Sequence, residues 1–317
     1  MTEGESRVGG KFTRDERWLV VRIEEEDLRE GDRLDEVLRR VLHLSGRQIQ
    51  RLVQSGGLRR GKARISSALR IRPGEEIAVR LFPFEEYGVD PEDIPLRILY
   101  EDDHYLVVDK PPGILVHPIR PGMRGTLAAA VAHHFATIGL RSRVRPVHRL
   151  DRDTSGVIVF AKHAWAHARL DALFRASAVR KTYLAVVSGV PDPAEQTIEL
   201  PLSRRPGRDG KIAVDARGLF ARTVVRVREA LGERASLVEA VPETGRTHQI
   251  RVHLSALGHP IWGDRLYGGP RVGISRQALH AESLEFLHPF TGEPKAFRAP
   301  VPEDIRRLTE LLRSETM

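Results

Sequence analysis

The sequence predicts an α+β protein: a mixed, largely antiparallel sheet domain preceded by a small basic α/β module. Three observations lead there. Strand-like runs outnumber helical periodicities and mix with them irregularly, which is not the regular alternation of a doubly wound parallel sheet. The stretches LFARTVVRVREAL and ASLVEAVPETG read as an antiparallel pair. The chain has 317 residues, enough for about two domains, and its positive charge is concentrated in the first of them.

Residues 1–16 have no apolar stretch and read as a flexible tail without the h-region of a secretory signal. RWLVVRI, Arg17–Ile23, reads as a strand. In DRLDEVLRRVL the residues Leu34, Val37, Leu38, Val41 and Leu42 recur at helical spacing, with Asp32 as N-cap. Ser45 caps a second helix, GRQIQRLVQSG, which Gly56 and Gly57 stop. LRR, ARI and EEIAVRLF read as short strands, with RPGEE as a turn. The module therefore spans 17–82. A Pro- and acid-rich linker follows over 83–93, and the second domain runs over 94–317.

In that domain Ile98–Leu99 and Tyr105–Val108 read as strands joined by an acidic turn. GTLAAAVAHHFATIGL is an Ala-rich helix, GVIVFAK a buried strand, AWAHARLDALFRASAV a helix and KTYLAVVSG a strand. THQIRVHLSALG is helical, with Ile250, Leu254 and Leu257 inward, Thr247 as cap and Gly258 as stop. PEDIRRLTELLR is a closing amphipathic helix. No run approaches the length of a membrane span.

Charge narrows the function. The net charge is +8, and 44 of the 51 basic residues are Arg. Between Arg33 and Arg72 eleven basic residues face only Asp35 and Glu36, a local excess larger than that of the whole chain. Such a patch suits a phosphate backbone, although a charge run taken alone is more often a solvated face. The side chains expected to meet such a backbone are Arg39, Arg40, Arg47, Arg51, Arg59, Arg60 and Lys62. The chain has no Cys, so disulfides and thiolate metal sites are excluded and a reducing cytoplasm is the expected compartment.

The chemistry centres on VHRLDRDTSG, Val147–Gly156. Three readings of it need only the residues. Asp-x-Asp-Thr suits an aspartyl-phosphate phosphotransferase, but there the first Asp ends an apolar strand, and here the apolar run comes after. Asp-Thr-Ser-Gly suits an aspartic protease, which needs a second carboxylate motif that the chain lacks. A turn in which Asp153 and Thr154 bond nearby backbone is the third. Asp151 stands apart: among Arg145, Arg149 and Arg152 a carboxylate stays ionised, ready as nucleophile or base. In PETGRTHQIRVH, Gly245 allows close approach and Arg246 precedes a helix start. His248 and His253 lie five apart, off a common helix face, so no metal site is expected.

Two resemblances follow from these motifs. Arg33–Val79 resembles the αL-type RNA-binding domain of a small-subunit ribosomal protein, with Gly46 where that family has Arg and LRRGK in place of its usual turn. RPVHRLDRDTSGVIVFAK, KTYLAVVSG and PETGRTHQIRVHLSALGHPIWGDRLYG, with EDDHYLVVDKPPGILVHP before them, together resemble the RluA-type pseudouridine synthases over Ile94–Pro300. The resemblance implies that Asp151 is the catalytic aspartate. It implies that Arg149 helps evert the target nucleotide, that Tyr183 stacks on the uracil, that Arg246 pairs with the catalytic carboxylate and that Leu237 packs beside the base. It implies a cofactor-free isomerisation of uridine to pseudouridine with base flipping. The substrate would be RNA, 23S-type ribosomal RNA or the large-subunit precursor, with neither DNA nor membrane as partner. Two other functions stay open at this point, a non-catalytic ribosome-assembly factor and an aspartyl-phosphate phosphotransferase. The enzyme reading would fail if Asp151 were walled off from any RNA-sized cleft with Arg246 pointing elsewhere.

Overall fold

The structure, a computed structural model, describes residues 6–8, 12–15, 18–82, 84–204 and 211–314. The N-terminal module is an antiparallel sheet with two helices packed on it. Its elements are β1 (Ser6–Val8), β2 (Phe12–Asp15), β3 (Trp18–Arg22), α1 (Leu34–Leu42), α2 (Gly46–Gln54), β4 (Leu58–Arg60), β5 (Ala63–Arg64) and β6 (Glu76–Val79), in sheet order β1-β2-β3-β6-β4-β5. The expected tail is corrected in part: residues 6–8 and 12–15 are paired strands continuing from β3. The other residues of 1–16 lie outside the described residues.

The helical spacing of α1 buries Leu34, Val37, Leu38 and Leu42. Its N-cap is Arg33 and not Asp32, because the Asp32 carboxylate is occupied by the Arg29 backbone N–H and the Arg40 guanidinium. Ser45 caps α2 as expected, its hydroxyl accepting from the Gln48 N–H while the Gln48 side chain accepts from the Ser45 N–H. The module's core is completed from outside. Trp165, 1% exposed, packs into it and donates its indole N–H to the Leu42 carbonyl at 2.9 Å.

The segment expected as a linker is pinned. Arg145 donates to both oxygens of Glu85 at 2.7 and 2.6 Å, and Glu92 accepts from the Gly125 N–H. Beyond it come β7 (Arg97–Glu101), β8 (Tyr105–Lys110), α3 (Leu127–Thr137), β9 (Arg145–Pro146), β10 (Ser155–Ala161), α4 (Ala164–Arg175), β11 (Arg180–Ser188) and β12 (Glu195–Glu199). The hairpin β13 (Leu202–Arg204)–β14 (Ile212–Val214) leads to β15 (Arg222–Leu231), β16 (Ala235–Pro242), α5 (Gln249–Ala256), β17 (Leu279–Leu287), β18 (Pro294–Arg298) and α6 (Glu303–Ser314). The main sheet runs β12-β15-β16-β11-β17-β10-β8-β7, with β18 on β17 and β9 on β10. Every named pairing is antiparallel except β10 with β17. A mixed, largely antiparallel sheet is therefore what the chain builds.

The uninterrupted apolar run of β10 has a simple cause: both of its faces are covered. Ile158 and Phe160 pack with Leu106, Val131 and Phe135 on one side, Val157 and Val159 with Tyr105 and Leu170 on the other. The late strand β17 enters between β10 and β11, so residues near 150, 183 and 280 become neighbours. Gly156 permits this junction. Its φ is +115°, and a Cβ there would stand 2.1 Å from the Ala281 carbonyl oxygen. Gly156→Ala should thus destabilise the protein by about 3 kcal/mol or more, through overpacking against backbone and a strained φ. Urea unfolding measures it; a change under about 1 kcal/mol would show that the two strands separate easily.

Candidate functional site

The loop between β9 and β10 carries Asp151, and its backbone is tied down from three directions. Lys110, fully buried at the end of β8, donates to the carbonyls of Pro111 and Arg152, both at 2.8 Å. Arg276 donates to the Asp153 carbonyl at 2.9 Å, and the Gln277 side chain donates to the Thr154 hydroxyl at 3.3 Å. Thr154 closes the turn through its N–H to the Asp151 carbonyl at 3.1 Å. The turn reading of Asp153 and Thr154 thus describes the backbone, and the turn aims Asp151 outward.

The Asp151 side chain keeps 20% of its surface exposed and lines a cleft of about 550 Å³ together with Arg149, Lys181, Tyr183, Arg246, His248 and Arg251. The carboxylate is not walled off. Arg246 does point elsewhere, which corrects the expected pairing: its Nε donates to the Phe220 carbonyl at 2.9 Å. The guanidinium that meets Asp151 belongs to Arg251, whose Nη1 donates to Asp151 Oδ2 at 2.9 Å. The same guanidinium grips Asp264 with two bonds, Nε to Oδ2 at 2.7 Å and Nη2 to Oδ1 at 2.9 Å. Asp264 is 1% exposed, and its Oδ1 also accepts from the Leu266 and Tyr267 N–H groups. Burial works against the charge on Arg251, but Asp264 and then Asp151 outweigh it and push its pKa up.

Two of the three arginines near Asp151 in the sequence are spent on other partners. Arg145 holds Glu85, and Arg152 donates to the Gly113 carbonyl. Arg149 is exposed at the cleft with no ion pair among the described residues.

α5 positions Arg251. Its N-cap is His248, in the left-handed region at φ 55°, and not Thr247. Gln249 fixes the entry: its amide donates to the Arg222 carbonyl and the Thr223 hydroxyl while its oxygen accepts from the Thr244 hydroxyl and the Arg246 N–H. The His248 ring meets the Tyr267 hydroxyl through Nδ1 at 2.8 Å and places Nε2 3.8 Å from Asp151 Oδ2. Burial brings its pKa below the usual value, so the ring is neutral at pH 7. His253 is buried between the Thr223 hydroxyl and the Leu200 carbonyl.

Tyr183 on β11 faces the same cleft, with its hydroxyl free of hydrogen bonds among the described residues. Burial first, and then the charge of Asp151, raises its pKa, so it stays a phenol. Leu237 is a correction. It sits opposite Val186, three residues along β11 from Tyr183, and packs at the edge of the core; the apolar side chains lining the cleft include Val147, Leu150, Phe174, Ile250 and Leu279, and not Leu237.

In the basic module Arg40 is also corrected. It turns inward, donating to the Asp27 carbonyl and pairing with Asp32. Arg39 pairs with Asp35 and Arg60 with Glu75, and Arg59 lies over the Trp18 ring at 4.5 Å. Arg47, Arg51 and Lys62 remain exposed, with no ion pair among the described residues.

The chain is similar to known proteins over most of its length. The profile of the RNA pseudouridylate synthase family matches residues 104–256. The chain is 40% identical over 293 residues to an uncharacterized RNA pseudouridine synthase, YhcT, of Bacillus subtilis, covering 92% of this chain and 96% of that one. It is 44% identical over 260 residues to the ribosomal large subunit pseudouridine synthase D of Xanthomonas campestris, 78% of each chain. Among solved structures, human RNA pseudouridylate synthase domain containing 4 superposes with a TM-score of 0.57 at 26% identity, covering 68% of this chain and 93% of that one.

Two outcomes are expected. Arg251→Met strands Asp264 as an uncompensated buried charge and should cost about 3–5 kcal/mol in urea unfolding; a loss under about 1 kcal/mol would mean that water already reaches the pair. Burial, ahead of the opposing charge of Asp153, lowers Lys110 from 10.5 to about 7. The folded state therefore holds this proton less tightly than the unfolded chain, and stability rises with pH between about 7 and about 10.5. Lys110→Met should flatten that rise, measured as unfolding free energy at about pH 7 and about pH 10; an unaltered slope would assign it to other groups.

Proposed function

We propose that this chain, which belongs to the RNA pseudouridylate synthase family, acts on uridine in large-subunit ribosomal RNA and uses Asp151 as its catalytic carboxylate. As a member of that family the protein is an RNA uridine isomerase.

The single observation that carries the assignment is the bridge Asp151–Arg251–Asp264, with the outer carboxylate open to the cleft. Isomerisation breaks the C1′–N1 bond, turns the uracil and joins C1′ to C5. The C5 proton leaves and N1 gains one, so atoms balance without a cofactor. Each route open to a carboxylate, attack on sugar or base or removal of a sugar proton, needs an oxygen that is negative and held still. The planar fork of Arg251 supplies both conditions, because Asp264 fixes the guanidinium before Asp151 meets it.

A uridine stacked in a helix cannot reach this oxygen, so it is flipped out, at a few kcal/mol, and loops or bulges are the cheaper targets. Arg149, exposed at the cleft and without an ion pair among the described residues, is placed to fill the space the base vacates. Tyr183 offers its ring to the uracil and, as a phenol, a proton to donate. Arg246, anchored by its Nε on Phe220, is left with outward-facing nitrogens for the RNA backbone.

Large-subunit ribosomal RNA, as 23S-type RNA or its precursor, is favoured by two considerations. Relatives that cover most of the chain carry that substrate in their names. The module over 17–82 also presents Arg47, Arg51 and Lys62 as free cations for a structured RNA. Ribosome assembly and the absence of cysteine both point to the cytoplasm.

Asp151→Asn should lower conversion of uridine by about 10³-fold or more while RNA affinity stays within about threefold. The readout is single-turnover conversion of a large-subunit ribosomal RNA transcript, with filter binding alongside. Conversion at the normal rate would remove Asp151 from the chemistry.

A further inference from the structure

Lys181 is a charge without an answer. It lies at the start of β11 and lines the same cleft as Asp151 and Tyr183, yet no carboxylate or carbonyl meets its ammonium among the described residues. Its nearest ring is Phe174 of α4, with Nζ 5.9 Å from the centroid. Behind Phe174 the His148 ring stacks at 5.1 Å between centroids and can accept the Val159 N–H at Nε2. Burial, and then the charge of Lys181 itself, bring His148 down to about 3, so the imidazole is neutral and supplies no counter-charge. Burial also lowers Lys181. The fold thus holds a partly desolvated cation against an aromatic wall, and half-buried charges of this kind call for a partner.

The partner must be an anion that arrives with the substrate. Lys181 and Tyr183 are two apart on one strand and face the same side, which sets their Cα atoms about 6–7 Å apart. That matches the reach from a base to the backbone of its own nucleotide. We propose that Lys181 binds the phosphodiester flanking the everted uridine, so that Tyr183 and Lys181 hold base and backbone of one nucleotide while Asp151 meets the sugar–base bond between them. The inference rests on the isomerase reading above and names a binding residue within that site.

The test uses the full chain and a transcribed large-subunit ribosomal RNA fragment containing its modified uridine. Affinity is measured over a potassium chloride series and conversion at several RNA concentrations, for wild type, Lys181→Met and Lys181→Arg. Lys181→Met should weaken binding about tenfold or more and make the slope of log affinity against log salt shallower by about 0.7, the value of one single-strand phosphate contact. The loss should fall on KM more than on kcat, and Lys181→Arg should restore both affinity and slope. Weaker binding with an unchanged slope, without rescue by Arg, would overturn the proposal and leave Lys181 as packing for Phe174. Unchanged binding would overturn it as well. A wild-type protein that converts no uridine would instead bring down the isomerase reading, and this inference with it.

Discussion

The site depends on one guanidinium. Arg251 spends two of its bonds on Asp264, a carboxylate almost closed to water, and one on Asp151, which is not closed. The asymmetry matters. A flexible arginine meeting a flexible aspartate at a surface gives a pair worth little and oriented loosely. Here the inner carboxylate fixes the plane of the guanidinium, two backbone N–H groups fix the inner carboxylate, and the outer carboxylate inherits that order. The Asp151 carboxylate is thereby set by a chain of short bonds rooted in the core.

The topology makes the chain of bonds possible. Asp151 precedes β10, Tyr183 lies on β11, Arg251 is in α5, and Arg276 and Gln277 lead into β17. Nothing local brings them together. The insertion of β17 between β10 and β11, with its single parallel pairing at Gly156, does. Lys110 then works from the opposite side, tying the carbonyl of Arg152 to the end of β8.

Much of this was legible in the sequence, for physical reasons that can be named. The period of two in the β15–β16 pair, the helical spacing in α1 and the Ser45 cap are local signals, and local signals survive into the fold. Asp151 and Tyr183 were legible through ordered motifs. The partner of Asp151 was not. Sequence proximity suggested Arg145, Arg149 and Arg152, and resemblance suggested Arg246, yet strands and loops carry those side chains to Glu85, the cleft mouth, Gly113 and Phe220. A signal for Arg251 was present: it lies three residues before Leu254 and beside Ile250, positions read as inward, and an arginine on an inward face needs a buried acid. Asp264 was unreadable because its contact crosses a loop. β17 was missed because its alternation is interrupted by His280, Glu282 and Ser283. Arg40 looked like a free cation because nothing local showed that Asp27 and Asp32 would fold back on it.

The two halves of the molecule meet at one tryptophan. The N-terminal module offers a few exposed cations and borrows Trp165 to complete its core, so it is held against the first turn of α4 near the cleft-bearing domain. The cleft offers a fixed anion, with Arg149 and Lys181 beside it and free of ion pairs among the described residues. If Asp151 does the chemistry proposed above, the geometry of the Arg251 fork, beyond its charge, sets its oxygen. Single-turnover conversion by Arg251→Lys at saturating enzyme tests this most directly. Lysine keeps the charge and loses the fork, so the account predicts a rate lower by about a hundredfold or more with RNA affinity unchanged. A rate close to that of the wild type would contradict it.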